Sequence, residues 1–434
     1  DFCLSRGLGD VYKRQSKDRP EQGRDIVMFW KQNDSALYGR RNDMVARYLA
    51  SRDDVRRVIV FDTPISRNRL MELRDRGRPG DQDRLIYTRT IEKQMGLRDE
   101  GKIARRVLVY QPRHVRNVKS NTLQDQMVNH VRATLEQEGV DPSQAVFWLY
   151  PRNPFLETLV DTFKPARVVT DIVDDHRAWP NVSEDQRKEL DQHYTRVLGF
   201  ADFAMANCEP VRASMAKIRP DIRLIPNGCD VPSTDTTPSS PAFQRVTEWP
   251  GKVIGFTGNL EAKIDDELIK RLSRELPDAL IVLVGSTHAN PSVRELAELP
   301  NVLMPGVAPY EELGAWVSRF DVAIIPHRRM ALTESMNPLK QYVYLSHGVP
   351  VVATNISGLE DVPGITVASD QESFVIAVRA ALEAPRAAVA TQDFIREHSW
   401  DARLSGFVDE ILTDEDSSPQ PVRHGFHEQA NSSD

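Results

Sequence analysis

Residues able to contact an anionic ligand lie in a turn near the middle of the chain. Gly255, Gly258 and Asn259 stand between an apolar run and an amphipathic segment, and Lys263 follows. Glycines there let the backbone approach a ligand, and the N-terminus of the next helix favours a phosphate to which Lys263 adds charge. The spacing is neither G-x-G-x-x-G nor a P-loop, so it does not indicate NAD or ATP. A structural turn with a solvated lysine is the alternative.

A second cluster brings three carboxylates and a histidine together at the end of an apolar run: Asp171, Asp174, Asp175 and His176. At the carboxyl ends of parallel strands such side chains face the ligand cleft. They could serve as acid and base, hold a metal ion or cap the next helix. The metal interpretation is weak because no second group of ligands is visible in the sequence. His176 is equally interpretable as an ordinary loop histidine.

A third candidate follows the first apolar run. Gly39 would permit close approach of the backbone, and Arg40 or Arg41 could pair with a phosphate. A solvated turn leading into a helix explains the same residues.

Apolar, β-branched runs of four to six residues alternate with amphipathic segments. Such runs predict parallel strands covered on both faces by helices. Residues 66–106 are rich in arginine and are predicted to be loop or surface helix. The predicted strands are 26–30, 58–61, 107–110, 146–150, 168–173, 253–256, 279–284, 302–304, 322–325 and 351–354.

The chain divides near its middle, where residues 231–250 hold four prolines and a Ser/Thr cluster typical of a linker. The alternation of strands and helices restarts after it, which predicts two Rossmann-like domains. The predicted segments are a non-native or disordered leader at 1–20, a first domain at 21–230, the linker, a second domain at 251–395, a C-terminal helix at 396–412 and a disordered tail at 413–434.

Composition and charge limit the class of protein. With 40% hydrophobic and 27% charged residues, a packed domain protein is expected, and no run approaches the ~18 apolar residues of a membrane span. Cys3, Cys208 and Cys229 form neither a disulfide framework nor a metal-ligand spacing, which favours a cytoplasmic location. The net charge of −7 combines +7 in residues 1–225 with −14 in residues 226–434. A basic first half suggests an anionic partner, although two unrelated domain surfaces would explain the asymmetry equally well.

A longer pattern carries a family resemblance. Residues 337–354 begin with Pro338 at a helix start, reach Gly348 at a helix end and continue through Pro350 into an apolar run. This segment resembles the P-x-K-x-x-E-Y-L-x-x-G-x-P-V-V-A-T signature of GT-B glycosyltransferases, especially family-4-like (group 1) enzymes of bacterial polysaccharide synthesis. The resemblance implies an α/β GT-B fold, in which two doubly wound Rossmann-like domains face a cleft and a C-terminal helix crosses back to the first domain.

The resemblance also implies roles for single residues. Lys263 would stabilise a departing diphosphate, while His176 and Asp175 would orient sugar and acceptor. The acceptor side would contain Gly39, Arg40, Arg41, Asp171 and Asp174. Donor binding would fall to Gly255, Gly258, Asn259, Pro309, Tyr310, Glu334, Pro338, Leu339 and Lys340.

The implied reaction moves a sugar from a nucleotide diphosphate-sugar to a hydroxyl acceptor in surface polysaccharide or glycoconjugate synthesis, with retention of configuration and without a metal or cofactor. The acceptor would be a saccharide or a lipid-linked saccharide, and no nucleic acid is expected as a partner. The basic first half would contact the anionic inner face of the cytoplasmic membrane.

One position departs from the family pattern. The family places a glutamate that contacts the nucleotide ribose where this chain has Val343, and valine cannot form that hydrogen bond. Glu334 could be the first acidic member of the family's pair, with its register off by one residue. Two alternatives therefore stay open. One is a catalytically degenerate saccharide-binding protein, and the other is a sugar-nucleotide epimerase, which would need a richer set of acid and base groups.

Overall fold

The computed structural model describes residues 23–77, 81–112, 122–179, 182–230, 236–260, 262–287, 290, 292–384 and 391–413. The predicted leader, residues 231–235 of the predicted linker and residues 414–434 of the predicted tail lie outside the described residues. Across the described ranges, no helix has both the length and the apolar character that a membrane crossing requires.

The first domain is built on a seven-stranded, parallel sheet. Its strands are β1 (Arg24–Phe29), β2 (Val55–Phe61), β3 (Ile65–Ser66), β4 (Ile103–Arg106), β5 (Val109–Tyr110), β6 (Val146–Leu149), β7 (Arg167–Ile172), β8 (Phe203–Ala206) and β9 (Arg223–Leu224). The sheet order is β4-β2-β1-β6-β7-β8-β9, while β3 and β5 pair separately. The order reverses between β1 and β6, and ligands bind at such switch points.

Helices cover both faces of this sheet, so its strands are buried on both sides. Ile26 and Met28 of β1 enter one apolar cluster while Val27 and Phe29 enter another, which explains the uninterrupted apolar run. The helices of this domain are α1 (Arg41–Ser51), α2 (Arg67–Arg76), α3 (Gln82–Gln94), α4 (Leu123–Glu138), α5 (Leu156–Phe163), α6 (Glu184–Phe200) and α7 (Glu209–Met215).

The second domain repeats the plan with a six-stranded, parallel sheet. Helix α8 (Pro241–Thr247) precedes the sheet and lies inside the predicted linker. Its Phe243 and Val246 side chains are buried in the core of the second domain. The strands are β10 (Val253–Thr257), β11 (Leu280–Val284), β12 (Val302–Gly306), β13 (Val322–Ile325), β14 (Val351–Thr354) and β15 (Ile365–Ala368), in the order β12-β11-β10-β13-β14-β15. The helices that follow are α9 (Asp266–Glu275), α10 (Tyr310–Ser318), α11 (Leu339–Ser346), α12 (Gln371–Glu383), α13 (Thr391–His398) and α14 (Trp400–Leu412).

The chain crosses between the domains twice, and the two crossings touch. The Cys229 N–H donates to the His398 carbonyl at 2.8 Å, and the Trp400 N–H donates to the Cys229 carbonyl at 3.3 Å. Beyond this point α14 packs on the first domain, where Trp400 and Leu404 are buried in the core beside β1 and β2. The expected return of a C-terminal helix to the first domain is confirmed.

The strand prediction at residues 107–110 is wrong in register. The sheet uses Ile103–Arg106 instead, and only Val109–Tyr110 is extended afterwards, paired with Ile65–Ser66. Two arginines conceal the true strand in the sequence, because Arg105 is fully buried and donates to the Arg98 carbonyl at 3.1 Å. The strands β8, β9 and β15 were also not predicted, since their runs are short or broken by polar residues.

Candidate active-site cleft

A cavity of about 650 Å³ opens between the domains at the carboxyl ends of both sheets. It lies where each strand order reverses, between β1 and β6 in one sheet and between β10 and β13 in the other. Eleven residues predicted for the site line it: Gly39, Arg40, Asp174, His176, Gly258, Asn259, Lys263, Tyr310, Pro338, Leu339 and Lys340.

On the second-domain face, two glycine turns lie against each other. Gly258 has φ +131° and donates its N–H to the Val284 carbonyl at 2.9 Å. A Cβ atom at Gly285 would approach the Gly258 carbonyl oxygen to 1.8 Å, so a side chain there would force the turns apart. The sequence places glycine at both positions because backbone must approach backbone this closely.

Two lysines flank this turn. A Cβ atom on Gly258 would lie 3.5 Å from the Lys340 ammonium, which also stands 4.8 Å from the Phe256 ring centre. Lys263 lines the cavity from a loop held to the segment after β13, because its carbonyl accepts from the Arg328 N–H. Among the described lining residues of the second domain, none is acidic. This face therefore presents positive charge.

His327 lies behind these lysines and stays neutral. Its Nε2 atom is 3.5 Å from the Lys340 ammonium, and the side chain is fully buried. Burial, with Lys340 and Lys263 close by, holds the pKa of His327 well below its usual range. The imidazole can therefore approach Lys340 without adding a positive charge.

The N-terminus of α11 completes the second-domain face. Pro338 precedes the helix, and Leu339 and Lys340 form its first turn at the cavity. Asn337 fixes this turn to the segment just before the crossing at Cys229: its side-chain oxygen accepts from the Asn227 N–H at 2.8 Å, and its carbonyl accepts from the Asn227 side-chain amide at 2.8 Å. Backbone N–H groups at a helix N-terminus are donors suited to a phosphate.

On the first-domain face, Lys31 joins two of the predicted residues. Its ammonium lies 3.0 Å from an Asp174 carboxylate oxygen and 3.4 Å from His176 Nε2. Burial alone would raise the pKa of Asp174, but Lys31 and His176 outweigh it and the pKa is lowered to about 2. Burial, followed by the Lys31 charge, lowers the pKa of His176 to about 3. Asp174 is therefore ionised and His176 neutral at pH 7.

Tyr194 fixes the proton position on His176. Its hydroxyl donates to the Asp174 carbonyl at 3.1 Å, so the hydroxyl oxygen is available as an acceptor for His176 Nδ1–H at 2.9 Å. The Nε2 lone pair then faces the ammonium of Lys31. In this arrangement the lone pair that a general base would use is already engaged.

Arg41 and Asp171, predicted for the acceptor side, pair inside the first domain and do not line the cavity. The Arg41 Nε atom lies 2.9 and 3.0 Å from the two Asp171 carboxylate oxygens, and both side chains are buried. Arg41 also donates to the Pro226 carbonyl at 3.1 Å and to Asn227 at 3.2 Å. The pair joins β7 to the segment just before the crossing at Cys229, so its placement indicates a structural role.

Four other predicted residues also lie off the cavity lining. Asp175 accepts from Arg177 and Ser214 and caps a short 3₁₀ helix. Gly255 sits inside β10, where a Cβ atom would meet the ring of Phe320 at 2.1 Å. Pro309 immediately precedes α10. Glu334 pairs with Arg329 at 2.7 Å and accepts from Ser357 at 2.7 Å.

Tyr310 and Gly39 form a contact between the domains. A Cβ atom at Gly39, which has φ +60°, would come within 2.0 Å of the Tyr310 ring. The Tyr310 N–H donates to the Leu37 carbonyl at 3.0 Å, and its hydroxyl lies 3.2 Å from Asp230. The Arg47 guanidinium stands 4.8 Å from the ring centre. These contacts give both residues an interdomain role in addition to lining the cleft.

Val343 lies on the cavity side of α11 and is partly buried. It therefore borders both the cleft and the apolar core of the second domain.

The chain is similar in sequence to known glycosyltransferases. Residues 251–384 match the family model described as "Glycosyl transferases group 1". This match spans nearly all of the second domain. Over 181 residues the chain is 27% identical to the Bacillus subtilis protein TuaH, whose name is that of a teichuronic acid biosynthesis glycosyltransferase. That match covers 40% of this chain and only 46% of TuaH.

Solved structures show the fold over 89% of the chain. Sucrose-phosphate synthase from Thermosynechococcus elongatus superimposes with a TM-score of 0.59 at 14% identity, over 89% of this chain and 98% of that one. The Anabaena protein Alr3699/HepE, solved in complex with UDP-glucose, gives 0.60 at 14% identity, over 89% and 99%. The chain has the GT-B fold, as the sequence predicted.

The sequence reasoning missed Lys31 and Trp179. Lys31 comes directly after a buried strand, at the sheet edge where ligand-binding side chains are expected, so its position was the available signal. Trp179 lines the cavity with its ring centre 5.1 Å from that of His176. Within the part of the chain that the structure describes, no group of three or more His, Cys, Asp or Glu side chains could hold a metal ion.

Proposed function

We propose that this protein is a glycosyltransferase that moves a sugar from a nucleotide diphosphate-sugar to a hydroxyl acceptor. The observation that carries the proposal is the convergence of Lys263, Lys340 and the N-terminus of α11 on the Gly258 turn. Preorganised cations and N–H donors at this place suit a diphosphate on which negative charge grows as the sugar departs. The group 1 glycosyltransferase match covers this same domain.

Retention of configuration is part of the proposal. The bond between the sugar C1 atom and the diphosphate oxygen breaks, a bond from C1 to the acceptor oxygen forms on the same face, and the acceptor proton passes to the leaving phosphate. The contact between Lys31 and His176 Nε2 supports this route, because the imidazole that lines the cavity is then not available as a general base. The chemistry requires neither a metal ion nor another cofactor.

The biological setting proposed is surface polysaccharide or glycoconjugate synthesis, with a saccharide or lipid-linked acceptor. The similarity to TuaH supports this setting. We further propose a salt-sensitive contact between the first domain and the cytoplasmic membrane, because residues 21–120 hold 23 basic against 14 acidic residues. Sedimentation with anionic liposomes at low and high salt tests that contact, and equal binding to neutral liposomes would contradict it.

Incubation with a panel of nucleotide-sugars tests the reaction class. Slow release of nucleoside diphosphate indicates a transferase, because water can replace the acceptor. Interconversion of the sugar without release would indicate an epimerase instead. Tight binding with neither reaction would indicate a degenerate saccharide-binding protein, the alternative that Val343 favours.

A further inference from the structure

The Asp174 carboxylate lines the cleft from the first domain, and Lys263 and Lys340 line it from the second. The Asp174 side chain is 29% exposed, whereas Lys31, which holds it at 3.0 Å, is only 8% exposed. The carboxylate is therefore more accessible to a ligand than the ammonium. Asp174 and Lys263 line the same cavity from opposite domains, so a group bound between the domains would lie beside this carboxylate.

The surroundings of Asp174 suit a sugar ring. Trp179 is 37% exposed and lines the same end of the cavity, next to His176. An exposed aromatic face offers a flat apolar surface to the C–H groups of a pyranose. An ionised carboxylate offers only hydrogen-bond acceptors, which match sugar hydroxyl donors.

The charge of the cleft sets a further condition. Its described lining holds four cationic side chains, Lys31, Arg40, Lys263 and Lys340, and two carboxylates, Asp34 and Asp174. The diphosphate of a nucleotide-sugar carries one negative charge on each phosphate, which balances the remaining positive charge. A further carboxylate on the sugar would stand without a counterion and beside Asp174.

We infer that Asp174, positioned by Lys31, is a specificity-determining residue that selects a donor whose sugar is uncharged and hydroxylated, and that rejects a uronic acid. This inference rests on the proposed function, since it concerns the sugar of the nucleotide donor. Asp174 accepts from sugar hydroxyls, and Lys31 keeps the carboxylate in place and ionised.

The test uses UDP-glucose and UDP-glucuronic acid, a pair that differs only at the sugar C6 atom, with UDP titrated alongside. We expect the wild-type protein to bind UDP-glucose about tenfold or more tightly than UDP-glucuronic acid, because like charges in a cleft repel. Asp174→Asn should reduce that ratio to about threefold or less, since the repelling charge is removed. Lys31→Met should reduce it as well, since the buried carboxylate is then no longer held in place and ionised.

Both variants should reduce the ratio, so either result tests the inference even if the other variant fails to fold. Asp191→Asn is the matched control, because Asp191 is an exposed carboxylate of the same domain that pairs with Arg177 outside the cavity. An unchanged ratio in Asp174→Asn, or a wild-type preference for UDP-glucuronic acid, would overturn the inference. Unchanged UDP affinity in that experiment would leave the proposed function standing, whereas wild-type protein that binds no nucleotide would count against both.

Discussion

The two faces of the cleft differ in the charge balance of their lining side chains. On the first-domain face each lining cation has a carboxylate partner, since Lys31 lies 3.0 Å from Asp174 and Arg40 lies 3.0 Å from Asp34. On the second-domain face Lys263 and Lys340 line the cavity, and none of the described lining residues of that domain is acidic. The first face offers fixed hydrogen-bonding geometry, and the second offers charge.

This difference shows that the net charge of a domain does not predict the charge of its site. The half of the chain with charge +7 presents a balanced face, and the half with charge −14 presents a cationic one. Salt screens exposed charges beyond about 8–10 Å, so a ligand in the cleft responds mainly to the nearest side chains.

Breaking a buried ion pair of the first domain should have the largest effect on the free energy of unfolding. Arg41→Met leaves Asp171 buried without its cation, at an expected cost of about 3–5 kcal/mol in the free energy of unfolding. Urea denaturation measures the change. Arg69→Met is the control, since Arg69 pairs with Glu72 at the surface and should lose less than about 1 kcal/mol. Equal losses in the two variants would contradict the structural role given to Arg41.

Removing a cation of the second domain should act on the reaction and spare the fold. Lys263→Ala should slow nucleoside diphosphate release about 100- to 1000-fold, because it withdraws a group that stabilises growing charge. Binding of the nucleotide should weaken less than turnover. Lys270→Ala removes the same charge from a partly exposed site on α9, where Lys270 pairs with Glu267, and should leave turnover nearly unchanged. A loss confined to binding would contradict the role of Lys263.

The second-domain face lacks the carboxylate that contacts the nucleotide ribose in the family pattern, and restoring that carboxylate tests its contribution to donor affinity. Val343→Glu should raise donor affinity by about 1.5–3 kcal/mol if the new side chain reaches the ribose hydroxyls. Val343→Gln, which forms an uncharged hydrogen bond, should gain about 0.5–1.5 kcal/mol. Calorimetric titration with the donor measures both. A destabilised fold with no gain in donor affinity would show that the side chain at position 343 belongs to the apolar core of the second domain.

The smallest effect is expected at the contact between the domains. Glu311 at the start of α10 pairs with Arg89 at 3.2 Å and also with Arg98, and its side chain is 33% exposed. Glu311→Gln should cost about 0.2–1 kcal/mol because a partly exposed pair is screened by solvent. Thermal unfolding at low and high salt checks the value. A loss that does not shrink with added salt would contradict an electrostatic contact.

The sequence predicted the fold more fully than the site. Apolar runs identified most strands because both faces of each sheet are buried, and the Pro338 segment identified the family. Arginine in β4 concealed a strand, since burial of Arg105 depends on a distant carbonyl that no local pattern reveals. Side-chain pairing was also invisible to sequence: Asp171 and Asp174 are three residues apart, yet one faces Arg41 inside the domain and the other faces the cleft.

The account depends on a diphosphate bound between Lys263 and Lys340. Titration of the wild-type protein with UDP, GDP and ADP, followed by thermal unfolding, tests it most directly. At a concentration of about 100 times the dissociation constant, a bound nucleotide should add about 2.7 kcal/mol to the free energy of unfolding, and the double variant Lys263→Ala/Lys340→Ala should lose most of that gain. No response to any of the three nucleotides, or an equal response in the double variant, would contradict the account.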